Sequence, residues 1–244
     1  MSETKEYRLN LPYWFSEERR LAELKVANLV RSQNKFKVLD VCCRRFPRGF
    51  GVDMHPKSNA DLICDVHNLK GLDDDQFDFT VCVEGIEHLD DPSRAVREWA
   101  RVSKFALMVT TQNIHCWRRW LKLFSKKPCT SIDHVIGWDE YTFHNFWRRN
   151  FPQAFIELSW YDRYPKKTSR LKPSKLFREN MAAFIWIGNE IKTNRDIPVI
   201  AYEIKKEAFR LINSRPEAHP LWKGASEYVI SRKLSSKDAT GVKT

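Results

Sequence analysis

Four nearly continuous apolar runs, each closing on or beside an acidic residue, constrain this chain more than any other feature in it. They are Phe36 to Val41 (FKVLDV), Gly49 to Asp53 (GFGVD), Ala60 to Val66 (ADLICDV) and Phe77 to Val83 (FDFTVCV), the last followed at once by Glu84. Runs that are apolar at successive positions, rather than at alternate ones, predict strands buried on both faces and therefore a parallel sheet. Acids at the strand ends then gather along the carboxyl edge of that sheet, where open α/β sheets bind their ligands. After Pro92, a natural first-turn residue, Ala95, Val96, Trp99, Ala100 and Val102 form a helical stripe that leads into a fifth run, Phe105 to Thr111.

Further along, Trp138 to Arg148 predicts a helix, Ala154 to Trp160 a strand and Met181 to Gly188 a last strand, with the basic segment 163 to 178 as a long loop between them. The expected fold class is α/β: a Rossmann-like, doubly wound, mostly parallel sheet of seven strands, with an N-terminal helical arm and a C-terminal helical extension. Residues 1–35 would be an aromatic arm (Tyr7, Tyr13, Trp14, Phe15) followed by a helix. Ser16 is its expected N-cap, and Leu21, Leu24, Ala27 and Val30 or Arg31 follow at helical spacing as its expected stripe. Residues 36–192 would form the sheet domain. Residues 193–244 would add a helix with Ile200, Ile204, Ala208 and Leu211 on one face, ended by Pro216 and Pro220, and a small polar tail that frays.

With 244 residues, one core and an appendage suffice. The longest apolar stretch, Met181 to Ile187, is far short of the roughly 20 residues of a membrane-spanning helix. The charged start, Ser2 to Glu6, predicts no secretory signal and a cytoplasmic location. Six Cys with an adjacent pair, Cys42-Cys43, and no Cys-x-x-Cys indicate neither a disulfide framework nor a zinc ribbon. The net charge of +11 is unevenly spread: Arg118 to Lys127 and Arg163 to Arg178 carry twelve basic residues and no acid. Such a field favours an anionic partner, RNA or an anionic lipid or sugar derivative, although solvated basic faces on their own would look the same.

The order of these elements resembles the class I S-adenosylmethionine-dependent methyltransferases of the type 11 group over roughly residues 20–190. The sharpest stretch is Phe77 to Asn113 (FDFTVCVEGIEHLDDPSRAVREWARVSKFALMVTTQN), which is similar to the family's FDxVxxxxxxEHLxDPxxxxxExxRVxKxxxxxxxTPN, with Gln112 where the family has Pro. The resemblance implies S-adenosyl-L-methionine as cofactor. It places Asp40 beside the methionine end, Asp53 on both ribose hydroxyls, Asp65 and Val66 at the adenine, and Cys42, Cys43 and Glu84 along the cofactor pocket. Where the family reads Asp-x-Gly-x-Gly, this chain reads Asp40-Val41-Cys42-Cys43-Arg44-Arg45, and seven residues separate Val41 from Gly49. The short loop, with Pro47-Arg48-Gly49 leading into the second strand, is similar to one subgroup of the family. Arg44 and Arg45 would either block the methionine end or hold its carboxylate.

A second constellation is Glu84-x-x-Glu87-His88. If the chain turns into helix after the fourth strand, spacings of three and four bring these side chains to one side, a competent divalent-metal set. The pattern resembles the metal motif of the Hen1-type small-RNA methyltransferases and of the ubiquinone-pathway O-methyltransferases. His134, in Asp133-His134-Val135-Ile136-Gly137-Trp138, looks similar to a further ligand of the Hen1 type, so Glu84, Glu87, His88 and His134 would hold Mg, Mn or Zn. In metal-free relatives the same motif puts His88 at the substrate edge as a base, with Glu87 as its catalytic companion. Asn113, His115, Arg118 and Arg119 are the expected substrate contacts, although Thr110, Thr111, Gln112 and Asn113 could equally cap a turn. The function expected is methyl transfer from S-adenosylmethionine to an oxygen or nitrogen of an anionic acceptor. The alternative is a catalytically degenerate module that holds nucleic acid or a protein partner through its basic surface. Oligomeric state is not legible.

Overall fold

The computed structural model describes residues 17–116, 133–161, 180–188 and 199–214. The aromatic arm, the basic segments Arg118 to Lys127 and Arg163 to Arg178, Pro216, Pro220 and the polar tail all lie outside the described residues. The strands are β1 (Val38–Val41), β2 (Phe50–Asp53), β3 (Leu62–Ile63), β4 (Phe77–Val83), β5 (Ser103–Gln112), β6 (Phe155–Tyr161) and β7 (Asn180–Trp186). The helices are α1 (Glu17–Ser32), α2 (Pro92–Val102), α3 (Glu140–Asn150) and α4 (Val199–Asn213). The strands form one sheet in the order β3-β2-β1-β4-β5-β7-β6. β1 to β5 run parallel, and β7 lies antiparallel to both β5 and β6. The expected seven-stranded, mostly parallel Rossmann-like sheet is what forms.

Alternate side chains of each strand enter two cores. Leu39, Val41, Val52, Leu107 and Val109 pack with Trp99 and Val102 of α2 and Phe143 and Trp147 of α3. Val38, Phe79, Val81, Ala106 and Met108 pack with Ala201, Ile204, Ala208, Leu211 and Ile212 of α4. This double burial explains why the sequence runs are apolar at successive positions. Asp40 shares the phase of Val38 and so faces the α4 side, where its carboxylate meets Arg48. No helix among the described residues is long and apolar enough to cross a membrane.

Local chemistry sets the boundaries. Asp91 caps α2, accepting from the Arg94 N–H at 3.0 Å, and Pro92 occupies the first turn. The helix expected from Trp138 begins instead at Glu140, because Asp139 accepts from the N–H groups of Tyr141 and Thr142 in a capping box. Trp138 stays extended and bridges to Asn113. The third run shrinks to two paired residues, since Asp61 and Asp65 turn their carboxylates onto backbone N–H groups at either end of it (Gly51 at 2.7 Å, His67 at 2.9 Å). In α1 the buried residues are Glu23, Val26 and Ala27, while Leu21 is exposed; the expected stripe is rotated because Arg20 and Arg31 anchor the helix on Asn59 and Asp61 of the β2–β3 connection.

Trp99 is fully buried and donates from Nε1 to the Val66 carbonyl at 3.1 Å, holding the turn after β3 against α2. Trp99→Phe should lower unfolding stability by about 1–2 kcal/mol, through the orphaned carbonyl and the smaller ring. Urea denaturation checks this, and a variant as stable as the parent would show that the turn is held by something else.

Candidate active site

The carboxyl ends of β1, β2, β3 and β4 bring Asp40, Asp53, Asp65 and Glu84 to one edge of the sheet, as the parallel topology dictates. An open cleft of about 440 Å³ lies at the opposite ends of β1, β2 and β4, lined by residues such as Arg31, Lys37, Phe50 and Phe77, away from these acids.

The connection from β1 to β2 forms without the glycines. Cys42 and Arg44 take left-handed backbone conformations at φ 55° and 51°, each costing about 1–2 kcal/mol in a residue with a side chain. Hydrogen bonds offset this cost. The Arg44 N–H donates to Asp53 Oδ2 at 2.7 Å, the Arg48 N–H to Asp40 Oδ2 at 2.6 Å, and Asn59 donates from Nδ2 to the Arg45 carbonyl at 2.6 Å. Gly49 remains obligatory, since a Cβ there would stand 2.3 Å from the Val38 carbonyl oxygen. Asp40 is wholly buried, and its Oδ1 has no hydrogen-bond partner among the described residues. Burial pushes its carboxyl up to about 6 despite the Arg48 guanidinium 3.4 Å away. Asp53 is buried, and its Oδ1 accepts from the His55 N–H at 2.8 Å. Cys42 is half-buried and Cys43 buried, with burial raising the Cys43 thiol.

Asp65 stays exposed, its carboxyl held low by the His67 N–H and then by the His67 ring, whose Nδ1 lies 2.6 Å from Oδ1. Val66 beside it is buried. The described residues thus supply the Asp53 carboxylate, each oxygen of which accepts one backbone N–H and keeps a lone pair, the exposed Asp65 carboxylate, and the Asp40 carboxylate buried beneath them. These fit an adenosyl cofactor with an amino-acid tail.

The segment after β4 departs from the helix that the sequence predicts. Glu84 sits at φ 52°, its N–H donating to the carbonyl and the hydroxyl of Thr110, both at 3.1 Å. A 3₁₀ turn over Ile86–His88 follows. Helical spacing therefore does not place Glu84 beside Glu87 and His88. The cluster that forms is Glu87, His88 and His134, with ligand atoms all within 4.8 Å of one another. The two imidazoles meet edge to face at 4.7 Å. Glu87 is buried, with Oε2 accepting from the Thr111 hydroxyl at 3.1 Å and Oε1 unpartnered among the described residues. Burial raises its carboxyl to about 7, and Glu84 adds to the rise. His88 donates from Nδ1 to the Asp133 carbonyl at 3.0 Å, which leaves the lone pair on Nε2, 3.5 Å from Arg44 Nη2. The buried carboxylate and two imidazoles fit a divalent ion.

Asn113 is buried and caps its own turn, accepting from the His115 N–H at 3.0 Å, so the capping alternative holds there. His115 is exposed, and Arg118 and Arg119 lie outside the described residues. Sequence reasoning did not single out Arg48, Asn59 or Asp133 as supports. Asp133 alone had a local signal, its place beside His134.

Residues 37–105 match the family model described as Methyltransferase domain. The chain is similar in structure to an S-adenosylmethionine-dependent methyltransferase of Thermotoga maritima (18% identity, TM-score 0.47, covering 69% of this chain and 90% of that one). It is also similar to an S-adenosylmethionine-dependent methyltransferase of Archaeoglobus fulgidus (18%, 0.45, 68% and 94%) and to the small RNA methyltransferase HEN1 (14%, 0.46, 70% and 26%). A comparison with curated proteins returns no match.

The raised carboxyl of Glu87 has a signed consequence. Its folded value lies above the ordinary 4.5, so its contribution to stability is present at low pH and is lost as pH rises through about 7. With chelator present, Glu87→Gln should melt close to the parent at pH 5 and above it at pH 8, by a stability difference on the order of 3 kcal/mol. Parallel melting curves for the two proteins across that range would show that the Glu87 carboxyl is not held in its protonated form.

Proposed function

For a chain that carries a class I S-adenosylmethionine-dependent methyltransferase domain, we propose that Asp53, Asp65, Val66 and Asp40 hold the cofactor and that His88 and Glu87 serve methyl transfer to an oxygen or nitrogen of an anionic acceptor. The observation that carries this reading is the meeting of strand-end acids and His88 at one edge of the sheet. S-adenosylmethionine supplies a methyl group already activated on a sulfonium, so the protein has mainly to align the acceptor and receive its proton.

His88 Nε2 is the atom to receive it. The Asp133 carbonyl fixes the ring tautomer and orientation, with the Asp133 carboxylate 3.5 Å from Nδ1. The Thr111 hydroxyl donates to Glu87 and orients its carboxylate. The exposed Arg44 guanidinium, beside Nε2, supports an acceptor that carries a phosphate or carboxylate. The basic segments Arg118 to Lys127 and Arg163 to Arg178 support RNA first and a lipid- or sugar-linked anion second.

A second reading gives His88 to a metal. The unpartnered Oε1 of Glu87 beside His88 and His134 favours it. Bound there, a divalent ion would lower the pKa of an acceptor hydroxyl.

Calorimetric titration with S-adenosylhomocysteine should give measurable binding. Asp53→Ala should weaken it by about tenfold or more, through lost ribose hydrogen bonds and a loosened Arg44 turn. No binding at millimolar ligand would leave the module that holds nucleic acid or protein. Transfer of labelled methyl groups to RNA that declines steeply with added salt is the expected acceptor result.

Metal dependence has its own test. If the ion is required, chelator abolishes transfer without displacing S-adenosylhomocysteine, and His134→Ala lowers metal affinity. Full activity in excess chelator assigns His88 to the proton instead.

A further inference from the structure

We propose that Cys42 and Cys82 form a peroxide-sensitive dithiol at the floor of the cofactor site, closing to a disulfide that weakens cofactor binding. The consequence for binding rests on the cofactor site proposed above, whereas formation of the disulfide does not.

The register of β1 against β4 pairs Val41 with Cys82, so Cys42 is the next residue of a chain that turns back at φ 55°. Gly85, where β4 gives way to the turn bearing Glu87 and His88, reveals how the sulfurs lie. A Cβ built on it would stand 2.9 Å from Cys82 Sγ and 3.2 Å from Cys42 Sγ, so both sulfurs crowd the same point. Burial pushes the Cys82 thiol up, and the neighbouring Cys42 sulfur adds to the rise. Adjacent strands also set Cα separations that a disulfide can span.

Exposure divides the roles. Cys42 is half-buried, in a loop with Arg44 and Arg45 close behind it, whereas Cys82 is wholly buried. The accessible thiol is the one that meets an oxidant. Cys43 is a poor partner despite adjacency, because its Sγ lies under Gly51, 2.9 Å from where a Cβ there would be, with the Arg44 carbonyl 3.9 Å away.

The oxidant is hydrogen peroxide. Cys42, as thiolate, attacks one peroxide oxygen, the O–O bond breaks, and the leaving hydroxide takes up a proton to become water, leaving a sulfenic acid. The Cys82 sulfur then attacks the Cys42 sulfur. The S–S bond forms as the S–O bond breaks, and hydroxide departs with the Cys82 proton as a second water. Two thiols lose two electrons and peroxide gains them. The bond would tie the left-handed turn to a buried strand and draw Cys42 off the pocket wall. The Arg44 N–H, two residues on, would then shift from Asp53.

The test treats the purified full chain with hydrogen peroxide, with and without saturating S-adenosylhomocysteine, and maps the products by peptide mass. A Cys42–Cys82 cross-link that dithiothreitol reverses is expected, formed more slowly when the ligand is bound. Cys82→Ala should leave a Cys42 sulfenic acid that dimedone traps. The oxidised protein should bind S-adenosylhomocysteine about tenfold more weakly, with recovery on reduction.

A Cys42–Cys43 cross-link overturns the proposal. So does an unreactive Cys42, or one that proceeds to sulfinic acid with Cys82 untouched in the unmutated protein. A Cys42–Cys82 disulfide with unchanged ligand affinity overturns the regulatory half. If the reduced protein binds no S-adenosylhomocysteine, the cofactor reading fails, and the mass map still decides the disulfide.

Discussion

A carboxylate buried at the end of β1 governs the organisation of this protein's working edge. Asp40 lies under the connection to β2 with no exposed surface, accepts the Arg48 N–H, and draws the Arg48 guanidinium inward. The same guanidinium donates from Nε to the Leu211 carbonyl in the last turn of α4 and stacks over Phe46. One acid thereby joins the first strand, the loop that follows it, and a helix more than 160 residues away in the chain. Burying a charge is costly unless it is paired and hydrogen-bonded, and the arrangement meets both conditions on one oxygen while leaving the other open.

The loop above it shows how side-chain chemistry can stand in for glycine. Relatives by resemblance turn this corner with residues that tolerate positive φ; here Cys42 and Arg44 occupy the left-handed region because Asp53 and Asn59 hold the backbone around them. A residue with a side chain at that place brings a function with it. Arg44 projects to His88 and Asp133, so the turn also sets a cation beside the cluster of Glu87, His88 and His134.

Much of this was legible in the sequence, for reasons that also mark the boundary of legibility. Burial on both faces writes itself as continuous apolar runs, so β1, β2, β4 and β5 were identifiable with ends off by one or two residues, and the strand-end acids with them. The face of α1 turned inward differs from the expected stripe at Leu21, which is exposed, while Arg20 and Arg31 bond to Asn59 and Asp61 through contacts no local pattern encodes. Likewise, the spacing of Glu84, Glu87 and His88 suggested one helical face, but Thr110 captures the Glu84 N–H and diverts the chain before any helix begins. His134 joining Glu87 and His88 came from a resemblance; the carbonyl of Asp133 that fixes the His88 ring is a contact across 45 residues that no local pattern encodes.

The sheet order carries a consequence for how the chain assembles. β7 lies between β5 and β6, so the strand made sixth has no partner until the strand made seventh has been inserted. As the chain leaves the ribosome, β1 to β5 can pair in sequence, but Phe155–Tyr161 must wait for Asn180–Trp186 before it joins the sheet. Until then the hydrogen-bonding edge of β5 and the apolar side chains of β6 stay open, a state in which pairing with another nascent chain competes with completion. Late insertion of an antiparallel strand between two others makes the closing step of folding non-local and therefore slow. Chain made through β6 alone therefore holds most of the sheet's residues with its closing strand still absent.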